Sequence, residues 1–245
     1  MSWSKSEIIV LPIAFAVCLV LSLISYFCFR RKQGIVKTLP LILITSVMLI
    51  LECVKQVRSI IEGYSLWNIP LHFCSLFLYF YPLAVFTKGK VCQFGKTMSL
   101  VCSVMFFALF YINPSSIIND SCSNILGSFS SFHTFVYHHL IIVFLLTSLM
   151  LNFYEYKKEN FTYVLWGFST YASVGILLSQ ILNVNFCNLL ESNIPFMETL
   201  RVNAGQLVYL VVMYVFALAC GCLIILVQKI LKKIKDKKEA KKWMR

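Results

Sequence analysis

The placement of positive charge constrains this chain more than any other feature. Seven apolar stretches are each long enough to cross a bilayer, and Lys and Arg fall between them in strict alternation. The connection after the first stretch carries Arg30, Arg31, Lys32 and Lys37; the third carries Lys88, Lys90 and Lys96; the fifth carries Lys157 and Lys158. The segment after the seventh carries Lys229, Lys232, Lys233, Lys235, Lys237, Lys238, Lys241, Lys242 and Arg245. These positions hold eighteen of the 22 Lys and Arg residues, and the second, fourth and sixth connections hold only Arg58 and Arg201. Positive charge near helix ends is retained on the cytoplasmic side. The expected fold is all-α: a seven-helix transmembrane bundle with the N-terminus outside and the C-terminus inside.

Composition excludes the soluble classes. The chain is 59% hydrophobic and 13% charged, against about 25% charged in a soluble domain. A net charge of +12 invites a nucleic-acid reading, but topology alone accounts for the excess, so no nucleic-acid partner is expected. The Lys-rich tail instead suits anionic inner-leaflet lipid, at about 1 kcal/mol per basic residue near the surface. Membrane lipids are the expected partners and the cell membrane the expected location, with multiple passes. Residues 8–28 run into Phe29-Arg-Arg-Lys, which reads as a retained span rather than a cleaved leader.

Spans are expected near 8–28, 39–61, 67–86, 97–112, 135–153, 161–183 and 204–231. That divides the chain into a membrane domain, 1–231, and a basic cytoplasmic tail, 232–245. The fourth span is short and can extend toward Lys96. The outer connections 113–134 and 184–203 are long and partly apolar, whereas the inner ones are short, so function is expected at the outer face.

Ten cysteines are spread singly without a CxxC pair, so neither a structural zinc nor a redox motif is expected. Cys122 and Cys187 fall in outer connections and are the candidate disulfide; two unpaired thiols are the alternative.

Ionisable groups inside spans are costly and are usually paired or functional. Glu52, Lys55 and Arg58 recur every third residue on the second span, as one stripe. The third span opens Trp67-Asn-Ile-Pro-Leu-His-Phe-Cys-Ser. With Pro70 near its start, His72 is expected in the first turns, on one face with Ser75 and Tyr79. Cys74 would lie roughly 200° around from His72 on a regular helix, and so reads as a packed thiol. On the fifth span His138 and His139 differ by about 100°, so one of them, His139, is expected to face the interior, with His133 in the preceding loop. Gln180, Asn183 and Asn185 end the sixth span, and Asn203 and Gln206 open the seventh. Glu52, Lys55, His72, His139, Gln180, Asn183, Asn185 and Gln206 thus come from five helices in the outer half. Their convergence predicts an outward-facing polar cavity, against the plainer reading of structural hydrogen bonds. No metal is expected, because neither helix supplies a third ligand at metal spacing, and no cofactor is expected.

Glu52, the run Pro70 to Cys74, His139 and Asn185-Phe186 together resemble the YwaF-like multi-pass integral membrane proteins, from the second helix to the seventh. Eukaryotic relatives of that family include an acyltransferase for ether lysophospholipids, and more distant kin are multi-pass lipid hydrolases using Thr and His. The resemblance implies catalytic roles for His72 and His139. It places the acyltransferase nucleophile directly before His72, where this chain has Leu71; Cys74 could replace it only where Pro70 distorts the helix. Two functions follow. One is lipid activity, acyl transfer or lipid hydrolysis, with His72 and His139 as acid–base groups. The other is a transporter, sensor or ligand-binding protein without catalysis.

Overall fold

The computed structural model describes residues 4–192 and 194–243, with only the backbone described at 119, 120, 239 and 241–243. All regular structure among these residues is helical. Among the described residues six helices are long and apolar enough to cross a membrane, and the protein is a multi-pass membrane protein. Of the tail lysines, the side chains of Lys241 and Lys242 lie outside the described residues, as does Arg245.

The chain forms two compact units, Met1–Pro70 with Cys74–Tyr154, and Leu71–Phe73 with Glu155–Arg245. The first contains α1 (Lys5–Phe29), α2 (Gly34–Glu62), α3 (Phe77–Phe86), α4 (Gly89–Ile112), the single turn α5 (Ser115–Ile118) and α6 (Phe129–Met150). α6 is its centre, packing on α1, α2 and α4. Of the membrane window of α6, 61% is buried, against 17% for α1. Ile9, Ile13 and Ile24 of α1 are more than half exposed, as residues facing lipid must be. Capping fixes the helix starts. The Ser4 hydroxyl accepts from Glu7 N–H, and the Glu7 carboxylate accepts from Ser4 N–H, a reciprocal pairing that satisfies two orphan donors. Ser115 also donates to Glu7 Oε1 at 2.7 Å, so a buried carboxylate ties α1 to α5. The close pair α3–α4 depends on Gly95, where a Cβ would come within 2.5 Å of the Ala84 nitrogen. Tyr81 stacks on Phe144 at 3.6 Å between ring centres, and its hydroxyl meets Ser103 Oγ at 2.8 Å.

The second unit contains α7 (Asn160–Leu182), α8 (Pro195–Ala204) and α9 (Gln206–Trp243). α7 and α8 both pack on α9. α8 and α9 are separated by Gly205 at φ +90°, a left-handed conformation that glycine adopts without a Cβ penalty. α9 has 38 residues, about 57 Å at 1.5 Å per residue.

Four expectations are revised. The expected third span, 67–86, is broken: a 3₁₀ turn at Leu66–Asn68, a bend, a second 3₁₀ turn at Phe73–Leu76, then a ten-residue α3. Pro70 lacks an N–H and disfavours helix at the residue before it. The fourth span extends past Lys96 to Gly89. The fifth begins at Phe129, not 135, because Ser128 caps it by accepting from Ser131 N–H. The seventh starts at Gln206 and stays helical through residues 231 and 232.

Candidate functional site

In the first unit the polar centre is a buried carboxylate. Glu52 is 7% exposed. Its Oε1 lies 2.8 Å from Lys55 Nζ and accepts from Gln56 Nε2 at 2.6 Å. Its Oε2 lies 3.5 Å from His133 Nε2. A charge in a low-dielectric interior needs such partners. The expected stripe is only partly realised: Arg58 turns away to Glu62, at 2.6 Å, and covers the Phe129 ring at 4.9 Å. His133 is a member that sequence reasoning misses, since it is placed in a loop there. The signal for it is Ser128, a residue type that starts helices.

His138 and His139 are both buried, 6% and 7% exposed, rather than one facing inward. α6 is enclosed on several sides, so a 100° change of direction still meets protein. His138 lies over Phe106, 5.4 Å between ring centres. His139 meets Phe110 edge-on at 5.4 Å. His139 Nδ1 lies 2.7 Å from the Phe135 carbonyl, which fixes the ring. The Nε2 atoms of His138 and His139 are buried without a hydrogen-bond partner among the described residues.

The broken start of α3 leaves carbonyls outside any α-helix, and side chains take them up. In the first unit Gln56 donates to the Asn68 carbonyl at 2.7 Å, Tyr79 to that of Pro70 at 3.0 Å and Tyr137 to that of Cys74 at 3.2 Å. In the second unit Tyr171 donates to the Leu71 carbonyl at 2.8 Å, and Cys187 Sγ lies 3.4 Å from the same oxygen. His72 packs its ring edge-on against Phe186, 5.3 Å between centres. It sits at the bend before the helical turns, so the common face expected with Ser75 and Tyr79 does not include it. For the same reason no regular helix sets the angle between His72 and the half-buried Cys74.

Asn183, Asn185 and Gln206 of the second unit hold their own loop. Asn183 is the left-handed cap that ends α7, at φ 51°. Asn185 Oδ1 accepts from Leu190 and Glu191 N–H, and its Nδ2 donates to the Glu191 carbonyl. Gln206 donates to the Leu189 carbonyl at 2.6 Å, and Gln180 is exposed. Sequence cannot separate such backbone partners from ligand contacts. Cys122 and Cys187 are both thiols rather than a disulfide. Cys122 is buried, and Cys187 Sγ is against Tyr171 Oη and the Leu71 carbonyl. Burial pushes the Cys122 thiol up to about 11, and the Glu7 charge adds to the rise.

On the loop side of α8, Arg201 Nε donates to Glu198 Oε2 at 2.9 Å, and that oxygen also accepts from Ser192 N–H at 2.9 Å. These bonds, Arg201 first, hold the Glu198 carboxyl down at about 2. Among the described residues no group of three or more His, Cys, Asp or Glu is placed to hold a metal ion.

Chemically, the first unit offers an oriented imidazole within a span and an ion-paired carboxylate, and both units contribute unwound backbone whose carbonyls are tied by tyrosines. No curated protein and no solved structure matches the chain. The TMEM164 family model matches residues 1–244, and the chain belongs to that family.

Proposed function

We propose that this protein crosses the cell membrane seven times, N-terminus outside, and acts on lipid acyl groups with His139 as the base and His72 as a second acid–base group. One observation carries the reading. His139 is locked through Nδ1 by the Phe135 carbonyl, while its Nε2 is buried with no partner among the described residues. A buried polar atom left without a partner costs about 1–3 kcal/mol, a cost that a water or lipid hydroxyl donating to Nε2 would offset. A histidine held this way presents Nε2 as a proton acceptor. The resemblance to YwaF-like proteins and their lipid-active kin supports the same roles.

In the reaction, Nε2 takes the proton of a water or lipid hydroxyl as its oxygen bonds to an ester carbonyl carbon. The ester C–O bond then breaks, and the proton passes to the departing alkoxide. Water gives a fatty acid and an alcohol; a lysolipid hydroxyl gives a new ester and an alcohol. No covalent enzyme intermediate at position 71 is needed, which fits Leu71.

The second reading, a ligand-binding or transport protein without turnover, draws on that same Leu71. Purified wild type, His139→Ala and His72→Ala, incubated with phospholipid and lysophospholipid in mixed micelles and read by mass spectrometry, separate the two. The expected result is acyl turnover by wild type and a loss of roughly 100-fold in both variants at unchanged folded protein. Lipid retained by wild type without turnover would favour the second reading.

A further inference from the structure

α9 and α7 meet in an open groove of about 700 Å³ lined by Tyr156, Lys157, Lys158, Glu159, Phe161, Lys229, Lys232, Lys233 and Asp236. Its five lysines outnumber its two carboxylates. Lys157 leans toward Glu155 at 3.8 Å, and Lys232 donates to the Tyr156 carbonyl at 3.3 Å. Lys158, Lys229 and Lys233 have no ion pair or hydrogen bond among the described residues.

The depth of the groove follows from length. From Gln206 to Gln228, α9 carries no charge, about 34 Å at 1.5 Å per residue, which fills the hydrocarbon core. Lys229 is therefore where α9 emerges. α7 begins at Asn160, directly after Lys157 and Lys158. The lysines of both elements lie at headgroup depth, with Tyr156 and Phe161 as interfacial aromatics. Leu226, one turn into the membrane from Lys229 and on the same side of α9, is exposed, whereas the exposed Val227, Ile230, Leu231 and Ile234 lie on the opposite face of the helix. Retention of positive charge on one side of the membrane explains why lysines occur here. It does not explain their convergence from two elements on one groove, nor three ammonium groups without partners.

We infer that this groove binds the phosphate headgroup of an anionic phospholipid, with the acyl chains running past Phe161 and Leu226 into the hydrocarbon core. The recognised chemistry is a phosphate ester anion, and the apolar surface of Phe161 and Leu226 beside the groove selects the lipid over soluble phosphate.

The test is native mass spectrometry of the full chain in mild detergent with phosphatidic acid, phosphatidylcholine or inorganic phosphate added. Wild type is expected to retain phosphatidic acid in preference to phosphatidylcholine, and millimolar inorganic phosphate is expected not to displace it. A Lys158→Gln, Lys229→Gln, Lys233→Gln variant should lose about 100-fold in retention, and the matching triple Arg variant should keep it. A Lys235→Gln, Lys237→Gln, Lys238→Gln variant carries the same charge change outside the groove and should bind as wild type. Equal retention of both lipids, or equal loss in the two Gln variants, would overturn the site. Displacement by inorganic phosphate would overturn the assignment to lipid. Thermal unfolding measured in phosphatidylcholine confirms that each variant is folded.

Discussion

Glu52 Oε2 lies 3.5 Å from His133 Nε2, joining the middle of α2 to the first turns of α6 through two buried side chains. Lys55 and Gln56 hold the other carboxylate oxygen, so the partners are unequal. Removing the carboxylate strands an ammonium and an imidazole, whereas removing the imidazole leaves the carboxylate paired. Glu52→Ala should cost about 3 kcal/mol and His133→Ala about 1 kcal/mol. Thermal unfolding in detergent measures both. An equal cost would mean that the pairs do not rank this way.

The carbonyl of Leu71 receives both Tyr171 Oη and Cys187 Sγ. Tyr171→Phe should destabilise by about 1 kcal/mol, with the weaker thiol donor left in place. Cys187→Ala alone should cost less, and the double variant more than the sum, because only then is the carbonyl stranded. A double-mutant cycle reads that coupling; simple additivity would contradict a shared acceptor.

The long apolar runs and the basic connections are legible in the sequence, because the bilayer fixes span length and the sign of the flanking charge. The break at Pro70 is less so, since proline is also tolerated in a first helical turn. Which use it serves depends on whether Gln56, Tyr79 and Tyr171 are near enough to take the exposed carbonyls. Asn183, Asn185 and Gln206 are ambiguous in sequence for a related reason. A polar residue at a helix end looks the same in sequence whether it meets a ligand or its own loop, and here these three serve the backbone. His133 is missed because the apolar run begins after it, while the helix begins at its cap.

Glu198 gives the loop before α9 a pH dependence. Its carboxyl is held at about 2 by Arg201 and by Ser192 N–H, below the ordinary carboxylate value of about 4.3. A depressed folded value means stabilisation that is complete above the unfolded value and is lost as pH falls through the folded one. The difference in unfolding temperature between wild type and Glu198→Gln should be constant above about pH 5 and vanish toward pH 2. A difference that grows on acidification would have the wrong sign.

The number of crossings turns on α3. Its ten residues span about 15 Å, and the 3₁₀ turn Phe73–Leu76 adds about 8 Å at 2.0 Å per residue. That is short of the core, about 30 Å. Unwound backbone at 69–72 can supply the remainder, because irregular backbone is tolerated at membrane depth where its polar groups are satisfied by protein. The carbonyls of Asn68, Pro70 and Leu71 are each satisfied by a side chain. Charge makes the same demand. With a crossing at α3, Lys88 and Lys90 share a side with Arg30, Arg31 and Lys37; without one, they face opposite sides. Single cysteines at Tyr64 and Lys90, in a cysteine-depleted chain, should therefore label from opposite faces of the membrane, Tyr64 from outside. Labelling of both from one face would make α3 re-entrant and leave six crossings.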